Sequence, residues 1–380
     1  MMKLKNITNS LTLAAVGVFA IASVSLADGL ADYYSQLAHQ RFFNYQRSAR
    51  SIGMGGSSFV TDTDSTSIFG NPAGLGFMEN AEVSVNYARD YISGKDITDY
   101  DDVQFDLDSG YAVGAFPISP NLDGLPNYGN IAFGWNGARG SSDDDFDSRS
   151  RGYGIHLAYA KALSDTVSLG YGVSYMADTF KNNTGLKYKL EDGVRQNVGL
   201  MIKPNDKWRF GAMGFYGFGG PDVDTQAGKN SFDVWSAGAD VGAAYMVSDA
   251  TTLASSVDYT YMKAKDGSFT GLAARGDKED GSALNARIGV EHKINDRISA
   301  RLGYRYAANF GYDFIGLPEA VSQHAKFNGV SIGAGVNLTK SLRLDYGAEY
   351  RAVGDGDWTH AVSATVPFSI CLEDYRGGGE

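Results

Sequence analysis

Disulfides are excluded first: the chain has a single cysteine, Cys371, so no intrachain framework can hold it. Proline is scarce, 8 in 380 residues, while glycine is abundant at 48. No Gly-x-y period accompanies that glycine, which sets aside collagen-like and low-complexity chains. Basic residues are outnumbered by acidic ones, giving a formal charge of -11. No basic cluster interleaved with aromatics occurs, so nucleic acid is not expected as a partner. After residue 26 no apolar run is long enough for a membrane helix.

The chemistry of common enzymes is missing too. There is no G-x-S-x-G nucleophile elbow, and none of the five histidines pair at metal-ligand spacing. Gly53-Met54-Gly55 lacks the third glycine of a dinucleotide loop and follows no strand. The expectation is a protein with no catalysis, no cofactor and no metal. His156 and Ser174 fall on the polar side of neighbouring strands, where packing accounts for them as well as a lumen-edge hydrolase does.

What is present begins with Lys3 and Lys5, the apolar run Leu11 to Leu26 and the small-x-small sequence Ser25-Leu26-Ala27. This is the form of a secretory signal cleaved after Ala27. The expected organisation is a signal over 1–27, an N-terminal segment and plug over 28–80, a barrel over 81–368 and a tail over 369–380.

Beyond residue 80 the pattern has a period of two. In Val167-Ser168-Leu169-Gly170-Tyr171-Gly172-Val173-Ser174-Tyr175, odd positions are large and apolar and even ones small or polar. The split recurs at 153–159, 284–290, 298–304 and 342–346, so one sheet face is apolar and the other polar or charged. Fourteen candidate strands follow, near 81–89, 109–116, 130–135, 151–163, 166–178, 193–203, 208–217, 234–246, 251–263, 282–292, 298–306, 328–338, 342–350 and 358–368. Short links (164–165, 204–207, 247–250, 293–297, 339–341) alternate with long ones, as in bacterial outer-membrane barrels. The link 117–129 is longer and richer in proline than its place in that alternation predicts. Aromatics near strand ends (Tyr111, Tyr153, Tyr175, Trp208, Tyr245, Tyr306, Tyr350, Trp358) suit interfacial girdles. The predicted fold is an all-β transmembrane antiparallel barrel of about 14 strands with an N-terminal plug, in the bacterial outer membrane.

The polar strand faces carry Arg287, Arg301, Arg305 and Arg343 with Glu291, Asp345 and Glu349. They read either as a mutually neutralising lumen network or as a set in which one arginine receives a carboxylate head group. Asp143, Asp144, Asp145 and Asp147 read as a solvated acidic run or as a divalent-cation bridge to lipopolysaccharide.

Between signal and strands lies ARSIGMGGSSFVTDTDSTSIFGNPAGL, residues 49–75, too rich in glycine and polar residues for a helix or strand. Gly53, Gly55 and Gly56, then Asp62 and Asp64, then Asn71-Pro72-Ala73, resemble the start of the FadL/TodX family of outer-membrane transporters for long-chain fatty acids and other hydrophobic molecules. The run also resembles PorV-type barrels, which serve secretion.

The first resemblance implies passive uptake of a hydrophobic small molecule, with Gly53, Gly55, Gly56, Asn71, Pro72 and Ala73 as plug and gate. It also implies lateral exit through the wall. Gly134, on a short third strand, is the candidate kink, and Gly134→Val is expected to abolish uptake without affecting assembly. Outer-membrane lipid and lipopolysaccharide are the expected surroundings. The second resemblance implies a secretion or attachment partner protein, for which the aromatics of 28–48 and the tail after Phe368 are the candidate contacts.

Overall fold

The computed structural model describes residues 48–93, 104–118, 128–142, 149–181, 187–220, 222–225, 228–231, 233–265, 280–311, 326–339, 341–352 and 356–368. The expected signal, residues 28–47, the acidic run 143–147, Cys371 and the tail lie outside them.

The strands are β1 (Ala81–Ser93), β2 (Gln104–Pro117), β3 (Asn130–Ser142), β4 (Arg149–Ala162), β5 (Val167–Lys181), β6 (Lys187–Ile202), β7 (Trp208–Gly219), β8 (Asp222–Thr225), β9 (Gly228–Ser231), β10 (Asp233–Ser248), β11 (Thr251–Lys265), β12 (Asp280–Lys293), β13 (Ile298–Gly311), β14 (Lys326–Thr339), β15 (Leu342–Ala352) and β16 (Asp357–Phe368). Each long strand pairs antiparallel with its chain neighbours. β1 pairs with β16, which closes a barrel of fourteen strands. The short strands β8 and β9 form a hairpin that extends one edge of β6. Part of the long link expected over 218–233 is therefore strand.

The period-two pattern sorts as barrel sterics require. Val85, Phe133, Leu157, Tyr171, Val198, Leu302, Ile332 and Val362 are exposed on the outside. Their register partners on neighbouring strands continue that apolar belt, the surface a bilayer covers. Inside are Ser84, Asn136, Ser168, Asn197, Asp258 and Glu349, all buried. Tyr153, Tyr175, Trp208 and Trp358 are exposed where the girdles were expected. Tyr111 is not: it points inward, is buried, and its ring lies 4.8 Å from Phe69.

Strands outrun the sequence estimate mainly at the long-loop end. The third has 13 residues rather than six, and pairs without a break through Gly134 to Val113 on one side and His156 on the other. The strand does not part from its neighbours there, because both ladders are continuous. Irregular register in the wall falls instead at 176/178, 246/248 and 337/339.

The described part of the N-terminal segment, from Ser48 on, lies inside this barrel. It forms a five-residue helix, α1 (Ala49–Gly53), and three 3₁₀ turns, Ser57–Val60, Ser65–Phe69 and Pro72–Phe77. Each start has a local cause. Ser48 caps α1, Asp64 accepts from the Thr66 amide, and Asn71 accepts from the Ala73 amide with Pro72 at the first position. The turn after α1 uses Gly55 and Gly56 at φ 65° and 83°, a region costly for other residues.

Candidate functional site

Contacts of the inner segment run round the whole lumen. α1 meets β13, β14, β15 and β16; the 57–60 turn meets β7, β10, β11 and β12; the two later turns meet β1 to β6. Because strand interiors face it, backbone packs on backbone wherever the wall lacks a side chain. A Cβ on Gly53 would stand 2.9 Å from the Gly333 Cα, and one on Gly211 would stand 2.9 Å from Val60. Gly170, Gly199, Gly242, Gly289, Gly303 and Gly347 on other strands are approached as closely. Several are register partners: Gly170 with Gly199, Gly211 with Gly242, Gly289 with Gly303, and Gly333 with Gly347. Small residues Ala88 and Ala361, also partners, continue the seat beneath Ala49 and Ile52.

This seat is the feature that sequence reading missed. Its signal was available, as glycines on the polar parity of successive strands.

Asn71-Pro72-Ala73 is held by the wall rather than by its own turn alone. Asn71 Nδ2 donates to the Leu200 carbonyl at 3.0 Å, and Ser168 Oγ donates to the Ala73 carbonyl at 2.8 Å. Farther along, Asn130 Nδ2 donates to the Leu75 carbonyl at 2.6 Å. The segment's next face is apolar. Ile68, Phe69 and Leu75 pack on Tyr111, Val113, Ala115, Ala132, Ala158 and Ala160. Gly134 sits under this face, where a Cβ would meet Phe69 Cζ at 3.3 Å. Its role in the structure is to make room for that ring.

The opposite face is ionic. Arg50 donates through Nε and Nη2 to the two Glu291 oxygens, both at 3.0 Å, and through Nη1 to Asp62 at 2.9 Å. Burial is the largest influence on Asp62. It pushes the carboxyl up to about 7, with neighbouring Asp64 adding to the rise and Arg50 opposing it.

The lumen charges form the paired network. Arg301 bonds Glu291 at 2.6 Å and Asp345 at 2.8 Å. Arg305 grips Glu349 through two nitrogens at 2.9 and 3.0 Å. Arg343 meets Asp345 at 2.9 Å. Arg287 bonds Asp258 and, at 3.2 Å, Asp240, two acids the sequence reading had not joined to it. Each of these arginines holds at least one carboxylate, the arrangement of a mutually neutralising network.

His156 lies between Ser174 Oγ at 2.7 Å and Asn136 Oδ1, with the Phe69 ring edge-on at 5.0 Å. Both ring nitrogens are occupied and Phe69 covers the ring, so the trio acts as a polar seat for the segment. Among the described residues no group of acidic, histidine or cysteine side chains is arranged to hold a metal.

At the short-turn end a vestibule of about 740 Å³ opens beneath the segment. Arg50, Arg209, Lys293, Arg297 and Arg343 line it together with Asp64, Glu82, Glu291 and Asp296, and Met246, Leu338, Leu342 and Pro367 are apolar members of the same lining.

A closed antiparallel barrel of fourteen strands, apolar outside and polar within, is an outer-membrane barrel. Residues 158–320 match the family described as outer membrane protein beta-barrel domain. The fold is of the FadL/TodX type. It is similar to a Pseudomonas aeruginosa FadL homologue (TM-score 0.61, 14% identity, 84% of this chain and 98% of that one). It is likewise similar to the monoaromatic hydrocarbon channel CymD (0.56, 13%, 84% and 97%). A third relative in fold is the Pseudomonas putida toluene transporter TodX (0.54, 14%, 85% and 99%). No curated protein matches the chain in sequence.

Proposed function

We propose that this barrel takes up hydrophobic small molecules passively across the outer membrane, gated by the segment Gly53–Ala73. The observation that carries the reading is the glycine seat: the wall is built, strand after strand, to hold one particular backbone inside the lumen. An open diffusion pore has no use for such a fit. The channels similar in fold carry toluene and monoaromatic hydrocarbons, which supports an apolar cargo.

The charged vestibule favours a sideways route. An apolar passenger gains little in a space where five cations and four carboxylates share the lining, whereas passage through the wall returns it to lipid. Gating then means release of the segment from its seat, since the polar and apolar contacts on opposite faces of one short stretch must part together.

Uptake into proteoliposomes tests the reading, with labelled toluene, a long-chain fatty acid and a hydrophilic sugar offered side by side. Uptake of an apolar compound well above the sugar is expected. Equal entry of all three, or of none, would remove the proposal. The three cargoes also decide whether fatty acid or small hydrocarbon is the better substrate. The alternative, a secretion or attachment partner, rests on 28–48 and 369–380, of which only Ser48 is among the described residues.

A further inference from the structure

We infer that the outer wall of β2 to β6, near the long-loop end, binds one phosphate-bearing glycolipid of the outer leaflet through Arg139 and Arg151. The two arginines are register partners on β3 and β4, and both are exposed on the outside. Among the described residues neither guanidinium has an ion-pair partner. Like charges placed directly opposite in a sheet repel, so the pair is better explained by an anion that both can hold.

Their surroundings add to the case. Arg149, Lys181 and Lys187 follow in register one row nearer the loops. Of the acids nearby, Asp106 pairs with Arg89 and Glu191 with Lys189 at 2.7 Å, while Asp108, the register partner of Arg139 on β2, accepts from the Tyr87 hydroxyl at 2.5 Å and lies 3.8 Å from Arg89. Beyond those two pairs, one carboxylate stands against five cations in these two rows across β2 to β6. A chain with net charge -11 thus concentrates cations on one patch of its wall.

From the pair toward the membrane runs a groove of about 830 Å³ whose lining is mostly apolar, with Asp108, Asp178 and Glu191 also in it. Its floor follows from register. Tyr87, Gly110, Gly137, Tyr153 and Ala177 form one outward row across five strands, with two glycines between two tyrosines. The Trp135 ring lies over Gly137, where a Cβ would come within 2.9 Å of it. Phosphate held at the arginines places an acyl chain in this groove. The long-loop end is the extracellular one, so the occupant is a lipid of the outer leaflet.

The test uses the full-length protein in detergent, incubated with bisphosphorylated lipid A and observed by native mass spectrometry. Wild type is expected to retain one lipid A. The Arg139→Gln/Arg151→Gln variant should retain it about tenfold less well, the scale of losing charge-assisted contacts to one anion. Lys207→Gln, at the opposite end of the barrel, should match wild type, and heat-modifiable migration on gels verifies that each variant is folded. Lipid A stripped of its phosphates should bind wild type no better than the double variant binds lipid A. Equal retention by wild type and double variant, or equal binding of the stripped lipid, would overturn the inference. So would displacement of lipid A by inorganic phosphate in excess, which would mark a site for free anions.

Discussion

Gly53 on the inner segment and Gly333 on β14 meet backbone to backbone: a Cβ on either would stand 2.9 Å from the Cα of the other. Neither residue can gain a side chain without moving the other's main chain. Gly333→Val is therefore expected to weaken seating by about 1–3 kcal/mol, the range for overpacking. The barrel should still assemble, since Gly333 is paired on both sides by backbone bonds that Val also makes. Planar-bilayer recording checks it: larger or more frequent openings than wild type, at unchanged heat-modifiable migration.

Arg50 joins two buried acids, Asp62 and Glu291, the second of which Arg301 also holds at 2.6 Å. Arg50→Met should cost about 3–5 kcal/mol of seating, as breaking a buried pair from one side does. Arg50→Lys should recover part of it, because an ammonium cannot reproduce the two-nitrogen grip on Glu291. Protection of residues 49–60 against hydrogen exchange should fall in the order wild type, Lys, Met. Protection in the Met variant equal to wild type would show that the ionic face does not hold the segment.

Asp62 makes the seat sensitive to pH. Its carboxyl is pushed up to about 7 from an ordinary value near 4, so between those pH values the seated form binds more protons than the released form. Seating is then tightest at the acid end of that window and weakens as pH rises through about 7. Channel openings should be more frequent at pH 8 than at pH 5. Asp62→Asn, which cannot ionise, should flatten the difference. Openings that increase on acidification would contradict the assignment.

Alternation along 153–159, 167–175 and 284–290 was enough to place the barrel, its strand number and its outward face, because lipid and lumen demand opposite side chains at adjacent positions. The charges Arg287, Arg301, Arg305 and Arg343 were legible as a lumen set for the same reason, although the partners of Arg287 on β10 and β11 were not. Register was the missing information. Gly170 and Gly199, or Arg139 and Arg151, become neighbours only once strands are aligned. Tyr111 was misplaced because a tyrosine near a strand end suits a girdle by type, while its parity puts it inside against Phe69. Gly134 has a second role that was hidden for a related cause. A glycine in a strand marks either a bend or a close neighbour, and the neighbour, Phe69, is 65 residues away in sequence.

Asn71 gives a prediction that separates the motif's local role from its docking role. Its Oδ1 accepts from the Ala73 amide at 3.1 Å, and its Nδ2 donates to the Leu200 carbonyl at 3.0 Å. Asn71→Ser keeps the first bond and is too short for the second; Asn71→Ala loses both. Each lost bond at this buried position costs about 1–2 kcal/mol. Exchange protection of the Gly74 and Leu75 amides should therefore fall further in Ala than in Ser. Equal loss in both would mean that only the contact with β6 matters.

Phe69 and Gly134 should behave as a coupled pair. Phe69→Ala alone removes a ring packed on Tyr111 and His156, and is expected to cost about 3–5 kcal/mol of seating. Gly134→Val alone thrusts methyl groups toward the ring, for about 1–3 kcal/mol. In the double variant the valine methyls enter space the ring has left, so the combined loss should be smaller than the sum of the two. Exchange protection of residues 65–69 measures all three variants on one scale. Strict additivity would mean that Gly134 acts on the wall independently of Phe69. Loss of uptake in Gly134→Val with protection unchanged would return Gly134 to the wall opening that its unbroken pairing argues against.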